Sequence, residues 1–205
     1  MEDTLAHVLG MPAPALLIGS VVLVSVLGWV VPPLYRALLL NPYRVRRHGE
    51  IWRLLTAGWL HQDVMHLGFN MLTLYFFTAP TVRVLGATRF VVLYVSAVVV
   101  AYLPTTLRHQ RNPGYNSLGA SGAVAAVMFS AILLDPKIKL QLMFFPVLVS
   151  GPVFAGCYLA YSAYQSWSGR DGINHGAHFA GAIYGSLLTW VFEPARVERA
   201  LRGLW

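Results

Sequence analysis

The sequence predicts an all-α membrane protein, with six helices crossing a bilayer inside one domain that covers residues 1–205. Three observations carry this. Of 205 residues, 57% are hydrophobic and 11% charged, against about 25% charged in an ordinary soluble domain. The mean hydropathy is +0.58. The charges gather in short clusters between long uncharged runs, and each run approaches the ~20 residues a helix needs to cross the hydrocarbon core. Helices follow because lipid cannot satisfy open backbone groups, and the runs lack the polar alternation of a membrane barrel.

The first span covers about residues 14–32. A basic connection follows, broken at Asn41-Pro42 and carrying Arg44, Arg46 and Arg47. Residues 50–62 hold Trp52, Arg53, Trp59 and His61 among apolar neighbours. That segment is too short to span, and its tryptophans and arginine suit an interfacial or re-entrant hairpin. The second and third spans cover about residues 64–82 and 90–107. Asn112-Pro113-Gly114 marks a turn before the fourth span, about 118–134, which ends at Asp135-Pro136. The fifth span is about 140–164, with Gly151-Pro152 inviting a kink. A short loop with Arg170 and Asp171 leads to the sixth, about 173–192, and a basic tail carries Arg196, Arg199 and Arg202.

The net charge of +7 raises nucleic acid as a partner for a soluble protein. Here the basic residues fall in short loops facing lipid headgroups, with no basic strip interleaved with aromatics, so the expected partners are membrane lipids and not nucleic acid. Arginine and lysine counts on the two sides are nearly even, so charge leaves the orientation open. The single cysteine, Cys157, reads as a packing residue. The acidic start, Met1-Glu2-Asp3, argues against a cleaved signal or Arg-rich transit peptide. With the compact length it favours a bacterial cell membrane over a mitochondrial one.

Parity brings the polar residues of the spans together. Spans two, four and six enter the membrane from one side. Ser121 lies about one turn into the fourth, His178 between one and two turns into the sixth, and His66 near the start of the second, with Asn70 four residues on along the same face. Singly, each has a plainer reading: a membrane serine is usually helix packing or bonded back to its own helix. Jointly, at one depth, they describe a site. An imidazole has the pKa to take a proton from a serine hydroxyl. The oxyanion formed by attack on an amide needs preorganised donors, and Asn70, His66 and the Ser121 backbone amide are available. Gly119 and Gly122 let the backbone bend and pack around the serine. Ala177, Gly181 and Gly185 form a small-residue stripe that admits a close helix.

In family order along nearly the whole chain stand Trp52-Arg53, His61, His66-Leu67-Gly68-Phe69-Asn70, Gly119-Ala120-Ser121-Gly122 and Ala177-His178-Phe179-Ala180-Gly181. Together they resemble the rhomboid intramembrane serine proteases. The resemblance implies a six-transmembrane-helix rhomboid-like bundle with a membrane-embedded first loop anchored by Trp52 and Arg53. It implies Ser121 as nucleophile, His178 as general base without a third carboxylate, and an oxyanion hole of His66, Asn70 and the Ser121 amide. It implies no cofactor or metal, transmembrane protein substrates, entry by the fifth helix, and a site opening to the extracytoplasmic side. Oligomeric state is left open. One departure stands out: some members carry, one turn after the serine, an aromatic that stacks on the histidine, and here that position is Ala125. His175, Asn174 or packing alone are the candidates to orient His178.

Three other readings compete. His61, His66, His175 and His178 could converge on zinc, but no H-E-x-x-H and no nearby acidic base accompanies them. Rhomboid-like relatives without the dyad bind clients without cutting them, whereas this chain keeps both residues. A transporter would call for an inverted repeat or an acidic residue within a span, and neither is found.

Overall fold

The computed structural model describes residues 12–141, 147–168 and 172–203. Met1-Glu2-Asp3, Arg170 and Asp171 lie outside them. The described chain is mostly helical. Helix α1 is Pro12–Val30, followed by two short helices, α2 Pro32–Leu38 and α3 Pro42–His48. Proline opens both, where a missing N–H costs nothing. The Asn41 side chain caps α3 by accepting from the Arg44 N–H. A single turn, α4 Arg53–Thr56, runs into a 3-10 turn, Ala57–Trp59. The segment expected as a hairpin is therefore a pair of short helical turns.

Arg53 holds this segment in place. It is 5% exposed, and its guanidinium donates to the Arg36 and Leu39 carbonyls and to Glu50. Glu50 also accepts both parallel bonds of Arg44. Hydrogen bonds from Arg44 and then Arg53 hold the Glu50 carboxyl down to about 2. Trp52, by contrast, is exposed.

Helix α5, Val64–His109, runs for 46 residues with one non-helical residue, Gly86 at φ 76° and ψ 163°. Gly86 divides it into two arms, over the stretches where the second and third spans are expected. The arms run antiparallel, because His66 near the start of the first and Tyr102 near the end of the second both meet Gly119. Helix α6, Ser121–Leu134, is the centre of the molecule, with 12 of its 14 residues buried. An all-apolar helix is stable only when surrounded, and α5 and α8, His175–Phe192, surround it.

A two-stranded hairpin pairs β1, Lys139–Gln141, with β2, Leu148–Ser150, and α7 is Gly151–Ser168. The fifth helix thus starts at Gly151 and not near residue 140, and Pro152 lies in its first turn instead of at a kink. Hydropathy alone joins the two stretches, but proline fits most easily in a helix's opening turn, and with the strand pair ending at Ser150 that is where Pro152 falls. Helix α9, Pro194–Arg202, closes the described chain, with Arg196 donating to the Leu134 carbonyl. Among the described residues two helices, Ala13–Val30 and Val64–His109, are long and apolar enough to cross a membrane by length and composition, and Ser121–Leu134 is a shorter apolar helix.

Candidate active site

Ser121 is the first residue of α6, one turn earlier in its helix than the sequence predicts. Its N–H is among the four opening donors that have no partner within the helix. The approach to it is irregular: Gly119 takes φ 114°, a conformation a side chain disfavours. Three bonds from distant parts of the chain fix this turn. The Gly119 N–H donates to the Ala57 carbonyl at 3.0 Å. The Tyr102 hydroxyl donates to the Gly119 carbonyl at 2.8 Å. The Ala120 N–H meets His61 Nε2 at 3.4 Å.

The chemistry of His61 follows from its neighbours. The Ser25 hydroxyl gives its proton to the Trp59 carbonyl at 2.8 Å, so toward His61 it can only accept. His61 Nδ1, at 2.9 Å, therefore carries the ring proton and Nε2 is left as an acceptor for Ala120. Burial first, and the adjacent His66 second, push the His61 pKa down to about 3, in keeping with a neutral ring. Its own carbonyl accepts from the Trp29 indole at 2.7 Å. Only motif order flags His61 in the sequence. The clamp it forms joins His61 to Ala120, far along the chain, and has no local signal.

His178 is the fourth residue of α8. Asn174 caps that helix, accepting from the Ala177 N–H at 3.0 Å and from the Thr105 hydroxyl at 2.8 Å, while donating to Ser117 Oγ at 3.1 Å. Asn174 thereby ties the start of α8 to α5 and to the stretch of chain leading to Ser121. His178 Nε2 and Ser121 Oγ lie 2.7 Å apart. Helix packing makes this approach possible. A Cβ at Gly181 would collide with the backbone of Gly122, and one at Gly185 with that of Ala126. Glycine is required at both positions for α8 to lie this close to α6.

The His66 ring borders the same turn. A Cβ at Gly119 would fall 2.8 Å from His66 Cε1, 2.9 Å from Nε2 and 3.9 Å from Ser121 Oγ. Asn70 donates through Nδ2 to the His66 carbonyl at 3.1 Å. His66, Asn70, Ser121 and His178 all line one cavity of about 1150 Å³. The four histidines weighed as zinc ligands form two pairs, His61 with His66 at 4.9 Å and His175 with His178 at 5.8 Å between ring centres. Among the described residues no three His, Cys, Asp or Glu side chains converge as a metal site. A further aromatic, Tyr158 of α7, lies nearly parallel to His178, with ring centres 6.4 Å apart and planes at 26°. The sequence does not single it out.

With this geometry in hand, comparison with known proteins gives one consistent result. The Rhomboid domain model matches residues 48–195. Rhomboid protein 1, mitochondrial, of Saccharomyces cerevisiae is 29% identical over 195 residues, covering 88% of this chain and 54% of that protein. Presenilin-associated rhomboid-like protein, mitochondrial, of Rattus norvegicus is 28% identical over 162 residues, 77% of this chain and 42% of that protein. RHOMBOID-like protein 12, mitochondrial, of Arabidopsis thaliana is 28% identical, over 69% of this chain and 46% of that protein. The chain spans about half the length of these relatives. All three are mitochondrial by name, which overturns the expectation of a bacterial cell membrane. The acidic opening residues and the compact length on which that expectation rests do not discriminate between the two membranes.

Proposed function

The chain belongs to the rhomboid family, and from that premise we propose that it is an intramembrane serine endopeptidase acting on transmembrane protein substrates. The observation that carries this reading is the 2.7 Å separation of His178 Nε2 and Ser121 Oγ. In the proposed reaction His178 Nε2 takes the hydroxyl proton as Ser121 Oγ attacks a peptide carbonyl carbon. The Ser121 amide, His66 and the second N–H of the Asn70 side chain stabilise the oxyanion. His178 then gives its proton to the leaving amine as the C–N bond breaks, leaving an ester on Ser121. Water, deprotonated by His178, attacks that ester, releases the carboxylic acid and restores the serine.

Length supports a site below the lipid surface. A rise of about 1.5 Å per residue makes the two arms of α5 about 33 Å and about 35 Å long, each enough to cross a core about 30 Å thick. Gly86 divides the two crossings. Helices α1, α6, α7 and α8 supply the other four of six proposed crossings. The 14 residues of α6 reach only about 21 Å, so with Leu134 at the far boundary Ser121 stops roughly 9 Å short of the near one. Irregular backbone at such depth is tolerable only when protein satisfies it, and the ties from Ala57, Tyr102 and His61 do so.

The reading includes a small residue at the cut and a locally unwound substrate segment, with entry past α7. The test is cleavage of a transmembrane substrate by the purified chain. Ser121→Ala and His178→Ala should each abolish cleavage while the protein still inserts and melts normally. Full cleavage by Ser121→Ala would refute the proposal, and no cleavage by the intact chain would favour client binding without hydrolysis.

A further inference from the structure

An imidazole that serves as a base must hold one nitrogen on its target, yet the torsion that turns the ring is soft and broad. A flat neighbour restrains it. On α6, one turn beyond Ser121, Ala125 offers a methyl group and no ring. The flat neighbour comes from another helix. Tyr158 of α7 faces His178 at 6.4 Å with planes 26° apart, within the range of offset stacking. The tyrosine is itself wedged by two phenylalanines, Phe129 at 5.5 Å and Phe154 at 5.9 Å. Phe129 belongs to the buried α6 and is 4% exposed, so the ring is set from the core side as well as from its own helix.

The helix that carries Tyr158 is lightly embedded. Along α7, Gly151 and Ser162 are the buried residues. Helix α6, which carries Ser121, is buried almost throughout. The two partners of the proposed reaction therefore differ in support: the serine rests on the core, and the imidazole takes part of its orientation from a peripheral helix.

Resting on the protease reading above, we propose that Tyr158 is the positioning residue for His178, so that the seating of α7 sets whether the imidazole is aligned on Ser121. The flat face restrains the imidazole, and the phenolic hydroxyl does not. Moving α7 outward withdraws that face and weakens this restraint on the ring.

The experiment compares the intact chain with Tyr158→Leu, Tyr158→Met and Tyr158→Phe, purified in detergent. It reads kcat and KM on a transmembrane substrate, the rate of Ser121 labelling by a small fluorophosphonate, and the melting temperature. Loss of the flat face in the Leu variant should lower kcat by about tenfold to a hundredfold with KM within about twofold, and slow labelling in parallel. Tyr158→Phe should restore both rates to within about threefold of the intact chain, by the same stacking argument. If the Leu variant fails to fold, Tyr158→Met fills the volume without a flat face and carries the same expectation. Undiminished kcat in the Leu or Met variant would overturn the proposal. So would a rise in KM alone with labelling unchanged, which would make Tyr158 part of the substrate path. Absence of Ser121 labelling in the intact chain would instead overturn the protease reading itself.

Discussion

Replacing Gly181 by alanine should disable the site without touching any reacting group. An added Cβ would lie 2.7 Å from the Gly122 carbonyl carbon and 3.0 Å from its Cα. Carbon atoms rest at about 3.5–4.0 Å, so α8 must withdraw from α6 by roughly 1 Å. Gly181 is one turn from His178 on the same helix, so the imidazole moves with it. The 2.7 Å approach to Ser121 then opens past the ~3.2 Å limit of a good hydrogen bond. A misplacement of about 1 Å costs about a hundredfold in rate, or about 2.7 kcal/mol of barrier, and the overpacking itself costs about 1–3 kcal/mol of stability. The assay is steady-state cleavage beside a thermal melt. Gly185→Ala, equally tight against Ala126 but a turn farther from the imidazole, should lose less rate for a similar loss of stability. Gly19→Ala, with nothing within 4 Å of the added carbon, should leave the rate unchanged and the melting temperature no lower, since alanine favours a helix interior over glycine. Full activity and unchanged melting in Gly181→Ala would refute the claim that this glycine sets the distance.

The clamp on the serine turn should make the fold acid-sensitive. The His61 pKa is about 3 in the fold and about 6.5 in the unfolded chain. The unfolded chain therefore binds more protons below pH 6.5, and the contribution of neutral His61 is complete above that value and erodes as pH falls toward 3. At about 1.36 kcal/mol per pH unit this amounts to about 2 kcal/mol between pH 6.5 and 5. His61→Gln should melt lower at pH 8 yet lose less on acidification, and equal acid slopes in melting curves would contradict this assignment. Asn70→Ala should lower kcat by about a hundredfold to a thousandfold, less than loss of Ser121 or His178, because His66 and the Ser121 amide remain as donors. A loss as complete as that of Ser121→Ala would give Asn70 a larger part than a single donor.

What the sequence made legible is what periodicity and parity determine. Counting spans and depth is enough to bring Ser121, His178, His66 and Asn70 to one end, and these four line one cavity. The stripe of Gly181 and Gly185 likewise reads as a close helix contact. Helix ends were less legible. Ser121 opens its helix because Ala57, Tyr102 and His61 hold the preceding turn, and none of these is near it in sequence. The apolar stretch before Gly151 carries the hydropathy of a helix, yet Lys139–Gln141 and Leu148–Ser150 pair as strands. Tyr158 was illegible for another reason. Ala125 shows that a ring is missing from α6, but no pattern along α7 says which of its aromatics faces His178. Arg53 is expected as an anchor beside Trp52, and the carbonyls of Arg36 and Leu39 that accept from it show what encloses the arginine, while Trp52 is exposed.

The central claim is that Ser121 is a nucleophile made reactive by His178. The most direct measurement is covalent labelling of the purified chain by a fluorophosphonate, with the modified residue located by mass spectrometry. The account predicts a single adduct on Ser121 in the intact chain and none in His178→Ala at matched time and concentration. An adduct that forms on Ser121 at an undiminished rate without His178, or one that forms elsewhere and spares Ser121, would contradict it.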